Sequence, residues 1–314
     1  MNYEYYTSNN NGKDDYGLKY INNHGYGMIC KDYKLEFPPQ HQDTQPGMEY
    51  LMRPRPIFNN PYYRASGKLI GKVAIITGGD SGIGRAVAVG FAKEGANVVI
   101  VYYNEDKDAE ETKEFIEQLG RRCLLIAGDI KDTNFCDKIV EETMNNFGKI
   151  DILVNNAGVQ YQQKSLLDIT DEQFDLTMKT NIYSMFYLTK RLLKYMLPGA
   201  SIINVTSITT FKGEPELIDY VTSKGAIVGF TRSLATNLAD KNIRVNAVSP
   251  GVFWTPLQPA CWEAEKIPTL GSDAPMGRAG HPYEIAPLFI YLASEDSSYV
   301  TGQVMHINGG EYKG

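Results

Sequence analysis

Long apolar runs are missing from this 314-residue chain; nothing in it approaches the roughly 20 residues that a membrane-crossing helix needs. An excess of positive charge is missing too, since 31 Lys and Arg face 37 Asp and Glu for a formal net charge of -6. A nucleic acid would have to be bound against electrostatic repulsion, so that class of partner is set aside. Cysteine is scarce and scattered: Cys30, Cys123, Cys136 and Cys261 form no CxxC pair, and 4 histidines supply no cluster to complete a metal site. No metal is expected, and the thiols read as free in a reducing compartment. The first thirty residues are polar and tyrosine-rich, without the basic start and apolar middle of a signal peptide, so the expected location is cytoplasmic.

What is present is a globular composition, 43% hydrophobic and 22% charged, enough for one large core or two modest ones. Residues 1–66 differ from the rest, being rich in Asn and Tyr and then punctuated by Pro38, Pro39, Pro46, Pro54, Pro56 and Pro61. Prolines at that density remove backbone donors and forbid long helices, which predicts an extended or irregular arm. Its seven basic and seven acidic residues argue against an electrostatic tether. Residues 1–30 are expected to be disordered, whereas 37–63 are too aromatic for a solvated linker and are expected to pack along the main domain or a neighbouring subunit. Residues 67–314 are expected to form a single domain.

Within that domain short apolar runs alternate with helical patterns. Segments 72–77, 97–102, 122–127, 150–155, 201–206, 243–248 and 303–307 are nearly continuous in Val, Ile and Leu, the pattern of strands buried on both faces. Helical stretches lie near 83–94, 106–119, 133–147, 171–197, 219–240 and 282–293. Regular alternation of this kind predicts an α/β fold, a doubly wound parallel sheet of about seven strands with right-handed crossovers.

Two patterns in this frame carry chemistry. Thr77-Gly78-Gly79-Asp80-Ser81-Gly82-Ile83-Gly84 follows the first strand and opens the first helix. Absent side chains there let the backbone approach a pyrophosphate, whose charge is met by amide donors and the helix N-terminus. The second pattern is Tyr220-Val221-Thr222-Ser223-Lys224, thirteen residues after Ser207. On a helix Tyr220 and Lys224 share one face a turn apart, so an ammonium beneath the phenol would favour its ionised form. Taken singly, such a tyrosine is more often a packing residue and such a lysine more often solvated; in register with a nucleotide turn they describe transfer of a hydride and a proton. The second strand ends at Tyr102-Tyr103-Asn104, with no carboxylate to hold a ribose 2′-hydroxyl and no Arg or Lys at Ser81 or Tyr103 to grip a 2′-phosphate. Because the missing group is the one that repels phosphate, the reading inclines to NADP, or to use of both NADP and NAD.

The spacing TGxxxGxG, then Asn155-Asn156-Ala157-Gly158, Asn181, Ser207, Tyr220 with Lys224, and Pro250-Gly251 with Thr255, resembles the short-chain dehydrogenase/reductase family from about Gly71 to Gly310. The proline-rich segment from Pro38 to Gly47 is similar to the arm of a bacterial subgroup of general-stress or glucose-dehydrogenase-like proteins. The resemblance implies an NAD(P)-dependent oxidoreductase acting on a carbonyl or alcohol. It implies that Gly78, Ser81, Gly82, Ile83 and Gly84 line the pyrophosphate, and that Tyr102, Asp129 and Ile130 lie at the adenine end. Asn155, Ala157 and Gly158 would border the ribose, and Pro250, Gly251, Val252 and Thr255 would hold the nicotinamide. Ser207 would donate to the substrate oxygen, Tyr220 would exchange the proton, Lys224 would lower the Tyr220 pKa and bind the ribose, and Asn181 would anchor a water chain.

Gln160, Tyr161, Thr209, Phe211, Leu217, Phe253, Trp254 and Trp262 are candidates for the substrate pocket, with 253–280 as a lid. Apolar residues beyond a single core stripe, Met185, Phe186, Tyr187, Ile227, Val228 and Phe230, suggest subunit contacts. In related proteins the two helices that carry them build a homotetramer. A rival reading is a cofactor-binding stress sensor with incidental turnover, against which the intact Ser207, Tyr220 and Lys224 set speaks.

Overall fold

Alternating residues of the first strand decide the layering. In β1 (Val73–Thr77) Ala74 and Ile76 belong to one buried apolar cluster while Val73 and Ile75 belong to another, so the strand is covered on both faces. Pleating sends successive side chains to opposite sides, and a central strand of this kind has no solvated face. The computed structural model describes residues 37–314; the expected disorder over 1–30, and Cys30, lie outside the described residues.

After β1 come α1 (Gly82–Lys93), β2 (Asn97–Tyr102), α2 (Asp106–Gln118), β3 (Cys123–Ala127), α3 (Thr133–Phe147) and β4 (Ile150–Asn155). The second half holds α4 (Asp171–Met178), α5 (Ser184–Leu192), β5 (Met196–Val205), α6 (Thr209–Lys212), α7 (Ile218–Leu238), β6 (Arg244–Pro250), α8 (Pro282–Ala293) and β7 (Val304–Ile307). The seven strands form one sheet in the order β3-β2-β1-β4-β5-β6-β7, and every neighbouring pair is parallel. Helices α1, α2 and α8 cover one face through Val87, Phe91, Ile116, Ile285 and Phe289. Helices α3, α5 and α7 cover the other through Ile139, Leu188, Leu192 and Leu238. Each such side chain contributes about 1.5–3 kcal/mol on burial. The order reverses between β1 and β4, and a doubly wound sheet opens a crevice beyond its strand ends at that point.

The helix predicted over 171–197 is divided in the structure. Between α4 and α5 the backbone widens into a π-helical turn at Lys179–Tyr183, and a 3-10 turn at Leu193–Tyr195 ends the segment. The amide of Asn181 inside the wide turn bonds both the N–H and the carbonyl of Val159, at 2.8 and 2.9 Å, an anchor that hydrophobic periodicity does not encode. Strand β5 starts early because Met196 pairs with Ile150 before the register shifts to Ile152 opposite Ser201.

The arm residues from Phe37 onward lie across the domain. Phe37 and Met52 are buried, and Phe37 stacks on Trp254 with centroids 3.9 Å apart. Glu49, fully buried, accepts from the Gly82 N–H at 2.6 Å and from Arg85 at 2.5 Å, so the arm is fastened to the first turn of α1. Among the described residues no helix is long and apolar enough to cross a membrane.

Candidate active site

The glycine turn is shaped by a close approach. A Cβ on Gly84 would stand 1.8 Å from the Gly78 carbonyl oxygen, so only glycine lets α1 begin against the turn. Asn156 braces the same turn, its amide donating to the carbonyls of Thr77 and Gly78 at 3.0 Å each. Beside it opens a crevice of about 620 Å³, well inside the size range of ligand pockets.

Of the residues expected to hold the cofactor, Gly78, Ser81, Gly82, Ile83, Tyr102, Asp129, Ile130, Ala157, Gly158, Pro250, Gly251, Val252 and Thr255 line this crevice. Gly84 and Asn155 stand behind its wall: Gly84 packs on Gly78, and Asn155 bonds Asn204 at 2.9 Å across β4 and β5. A crevice lined without a break from Tyr102 and Asp129 through the glycine turn to Tyr220 fits an elongated dinucleotide. The carboxylate Oδ2 of Asp80, buried in the turn and without a hydrogen-bond partner among the described residues, adds an unsatisfied polar atom to that lining.

Strand β2 itself ends without a carboxylate, yet Glu105, one residue past Asn104, lines the crevice together with Asp80. Its Oε2 accepts from the Tyr103 and Asn104 N–H groups at 3.1 and 2.9 Å. Burial pushes the carboxyls of Asp80 and Glu105 up, and the charge of Glu105 adds to the effect on Asp80. Two carboxyls beyond the strand ends thus join the lining of the crevice at this end.

At the other end the structure brings Ser207, Tyr220 and Lys224 together in the crevice. Ser207 follows β5, and its Oγ accepts from the Thr209 N–H at 3.2 Å and the Thr209 hydroxyl at 2.9 Å, which leaves its own proton to donate. The Ser207 hydroxyl lies near enough to the Tyr220 phenol to favour its ionised form. Lys224 lies one turn along α7, its Nζ 5.5 Å from the Tyr220 ring centroid and donating to the Val205 carbonyl at 2.9 Å. A Cβ placed on Gly158 would stand 3.2 Å from Asn181 Oδ1 and 3.5 Å from Lys224 Nζ, so these two groups converge on one spot. Asn181 also donates to Ser223 at 3.0 Å and sits behind the crevice wall.

The Tyr220 phenol is shifted the opposite way from the expected depression. Burial pushes it up to about 12, and the nearby Ser207 hydroxyl offsets this only in part. Burial likewise pushes Lys224 down to about 8. Both side chains are almost fully enclosed, and desolvation disfavours the charged form of each.

Gln160, Tyr161, Thr209, Leu217, Phe253 and Trp262 line the substrate end, as do residues 256–258 and 269–271 of the predicted lid. Phe211 and Trp254 do not. Phe211 packs on His306 and Tyr312, and Trp254, with no exposed surface, is covered by Phe37 and bonds the Pro54 carbonyl at 2.8 Å. The sequence reading also missed Gln45, Pro46 and Gly47, which line the crevice from the arm, and the pair Asp80 and Glu105. The position of Asp80 inside the glycine turn was a usable signal; nothing local marks the arm residues.

This parallel sheet, its switch-point crevice and its turn define a nucleotide-binding oxidoreductase frame, and comparison makes the class specific. The family described as Enoyl-(Acyl carrier protein) reductase matches residues 78–311. The chain belongs to the short-chain dehydrogenase/reductase family and is an oxidoreductase. It is 53% identical over 281 residues to General stress protein 39 of Bacillus subtilis, covering 90% of this chain and 98% of that protein. It is 48% identical over 281 residues to the glucose and ribitol dehydrogenase of Daucus carota, covering 88% and 97% of the two. Among solved structures, a short chain dehydrogenase from Burkholderia cenocepacia in complex with NADP is 30% identical, with a TM-score of 0.73 over 78% of this chain and 99% of that one.

Proposed function

We propose that this protein transfers a hydride between a nicotinamide cofactor and a carbonyl or alcohol substrate, with Tyr220 as general acid and base. The observation that carries the reading is that Ser207, Tyr220 and Lys224 line the same crevice as the glycine turn, with the Lys224 ammonium 5.5 Å from the centre of the Tyr220 ring. A bound nicotinamide supplies or accepts the hydride. In reduction Ser207 orients the carbonyl oxygen and Tyr220 gives it a proton; in oxidation Tyr220 takes that proton back. Lys224, which retains most of its charge at neutral pH, steadies developing negative charge on the phenol oxygen and presents its free N–H groups towards Gly158. Asn181 positions the Val159 backbone behind them. General acid and base catalysis of this kind contributes about 10²–10⁴-fold.

Both NADP and NAD are retained as cofactors. Asp80 and Glu105 disfavour a 2′-phosphate when ionised, whereas the names of relatives and neighbours include an NADPH-dependent aldehyde reductase and a dehydrogenase in complex with NADP. The name of the carrot relative supports sugars and polyols as substrates alongside aldehydes and ketones. The test is a panel of aldehydes, ketones, sugars and polyols with either cofactor, followed by absorbance of the reduced nicotinamide. Turnover of at least one class is expected, and cofactor binding without turnover across the panel would contradict the reading.

We also propose a homotetramer. Met185, Ile227 and Val228 are buried within the protomer, but Phe186 on α5, Phe174 on α4 and Tyr183 in the π-helical turn are 47%, 41% and 41% exposed. Light scattering at micromolar concentration should give four times the chain mass, and a monomer would contradict it.

A further inference from the structure

The arm reaches further than a packing role requires. From Phe37 to Trp254 it follows the segment that roofs the substrate end: the Gln42 N–H donates to the Pro259 carbonyl at 2.8 Å, and His41 Nδ1 meets the Trp262 carbonyl oxygen at 2.9 Å. The Gln42 amide then brackets the Met48 backbone, accepting from its N–H at 2.6 Å and donating to its carbonyl at 2.9 Å, which closes the arm into a loop. At the tip of that loop Gln45, Pro46 and Gly47 enter the crevice lining. Gly47 has no room for a side chain there, because a Cβ would stand 2.4 Å from the Pro256 carbonyl oxygen.

Gln45 ties the segment around Gln160 to the segment 256–262. Its Oε1 accepts from the Gln160 N–H at 3.0 Å and its Nε2 donates to the Gln160 carbonyl, so the amide pairs with that residue as a neighbouring strand would. The same Nε2 reaches the Ala260 carbonyl at 3.2 Å, in the segment 256–262 from which Pro256, Leu257, Gln258 and Trp262 line the crevice. Gln160 adjoins Val159, which the Asn181 amide holds, so the first segment is fixed from behind by the π-helical turn. The second segment, 256–262, has its own anchors on the arm.

We propose that Gln45 is a specificity-determining residue: it clips the Gln160 wall to the Ala260 wall and so sets the width of the substrate end, favouring small carbonyl or polyol substrates over bulky ones. This inference rests on the reductase reading given above. Loosening the clip widens the mouth without touching the Ser207 and Tyr220 pair or the glycine turn.

The experiment compares full-length wild type with Gln45→Met, which keeps the length of the side chain and removes its hydrogen bonds, and with Gln45→Ala. For small and bulky aldehydes turned over by the wild type, KM for the small ones should rise by roughly fivefold, the scale of lost neutral hydrogen bonds. The ratio of kcat/KM between bulky and small substrates should move towards the bulky ones, while cofactor Kd by fluorescence stays within about twofold, as sites without shared contacts behave. An unchanged ratio in a folded Gln45→Met variant would overturn the proposal. If no compound is turned over by the wild type, the reductase reading fails first and hydrogen exchange decides separately. Faster exchange of the 158–162 and 256–262 amides in Gln45→Met supports the clip, and unchanged exchange removes it.

Discussion

Burial holds the Tyr220 phenol protonated, and that fixes the direction of its pH dependence. With the phenol pushed up to about 12, the acid needed for reduction is present throughout the neutral range. The base needed for oxidation is the phenolate, whose fraction grows about tenfold for each unit of pH below that value. Oxidation measured as kcat/KM should therefore climb from neutral into alkaline pH, and reduction should fall once Lys224 loses its proton above about 8. A pH profile in which oxidation declines as the medium becomes alkaline would contradict the assignment of Tyr220 as base. The spacing of Ser207, Tyr220 and Lys224 was legible in the sequence because helix periodicity fixes which residues share a face. The sign of the phenol shift was not, because it depends on how completely the surrounding chain excludes water from both groups.

At the level of elements the arm and the first helix are joined by charge. Arg85, 1% exposed, donates to Glu49, to the Thr112 hydroxyl at 2.5 Å and to the Asp108 carbonyl at 2.7 Å, while the Glu49 and Tyr50 N–H groups donate to the Asp108 carboxylate at 2.7 and 3.0 Å. Replacing Glu49 with Ala leaves the Arg85 guanidinium buried without its main counter-charge, a change that costs about 3–5 kcal/mol. Urea unfolding should show that loss, and a change below about 1 kcal/mol, the scale of an exposed pair, would mean the network is solvated. His281 at the start of α8 gives an acid-side counterpart. Its Nδ1 accepts from the Ile57 N–H at 3.3 Å, and burial pushes the ring down to about 4. The unfolded chain, with an ordinary imidazole near 6.5, binds the proton first, so stability falls as pH drops from about 6.5 towards 4. His281→Gln should flatten that part of the stability curve, and a slope equal to that of the wild type would assign it to other groups. The strands were legible from their Val and Ile runs, since a strand covered on both faces carries its burial in its composition. The division of 171–197 was not, because the π-helical turn is stabilised by Asn181 reaching a loop 22 residues away in sequence.

Over the whole molecule the alternation of strands and helices was enough to give a parallel sheet, because crossover handedness and short connections leave few other arrangements. What remained hidden is how the arm closes the site: Gln45 and Gln160 are 115 residues apart in sequence, Glu49 and Gly82 33, and no local pattern records such pairings. The molecule thus combines a frame readable in its composition with an entrance whose width and anchoring emerge only when the chain is folded. Its central claim, proton exchange at Tyr220 beside a bound nicotinamide, is tested most directly by Tyr220→Phe. Measured on a substrate that the wild type turns over, the variant should lose about 10²–10⁴-fold in kcat while cofactor Kd stays within about twofold. A variant that keeps most of its turnover would contradict the account.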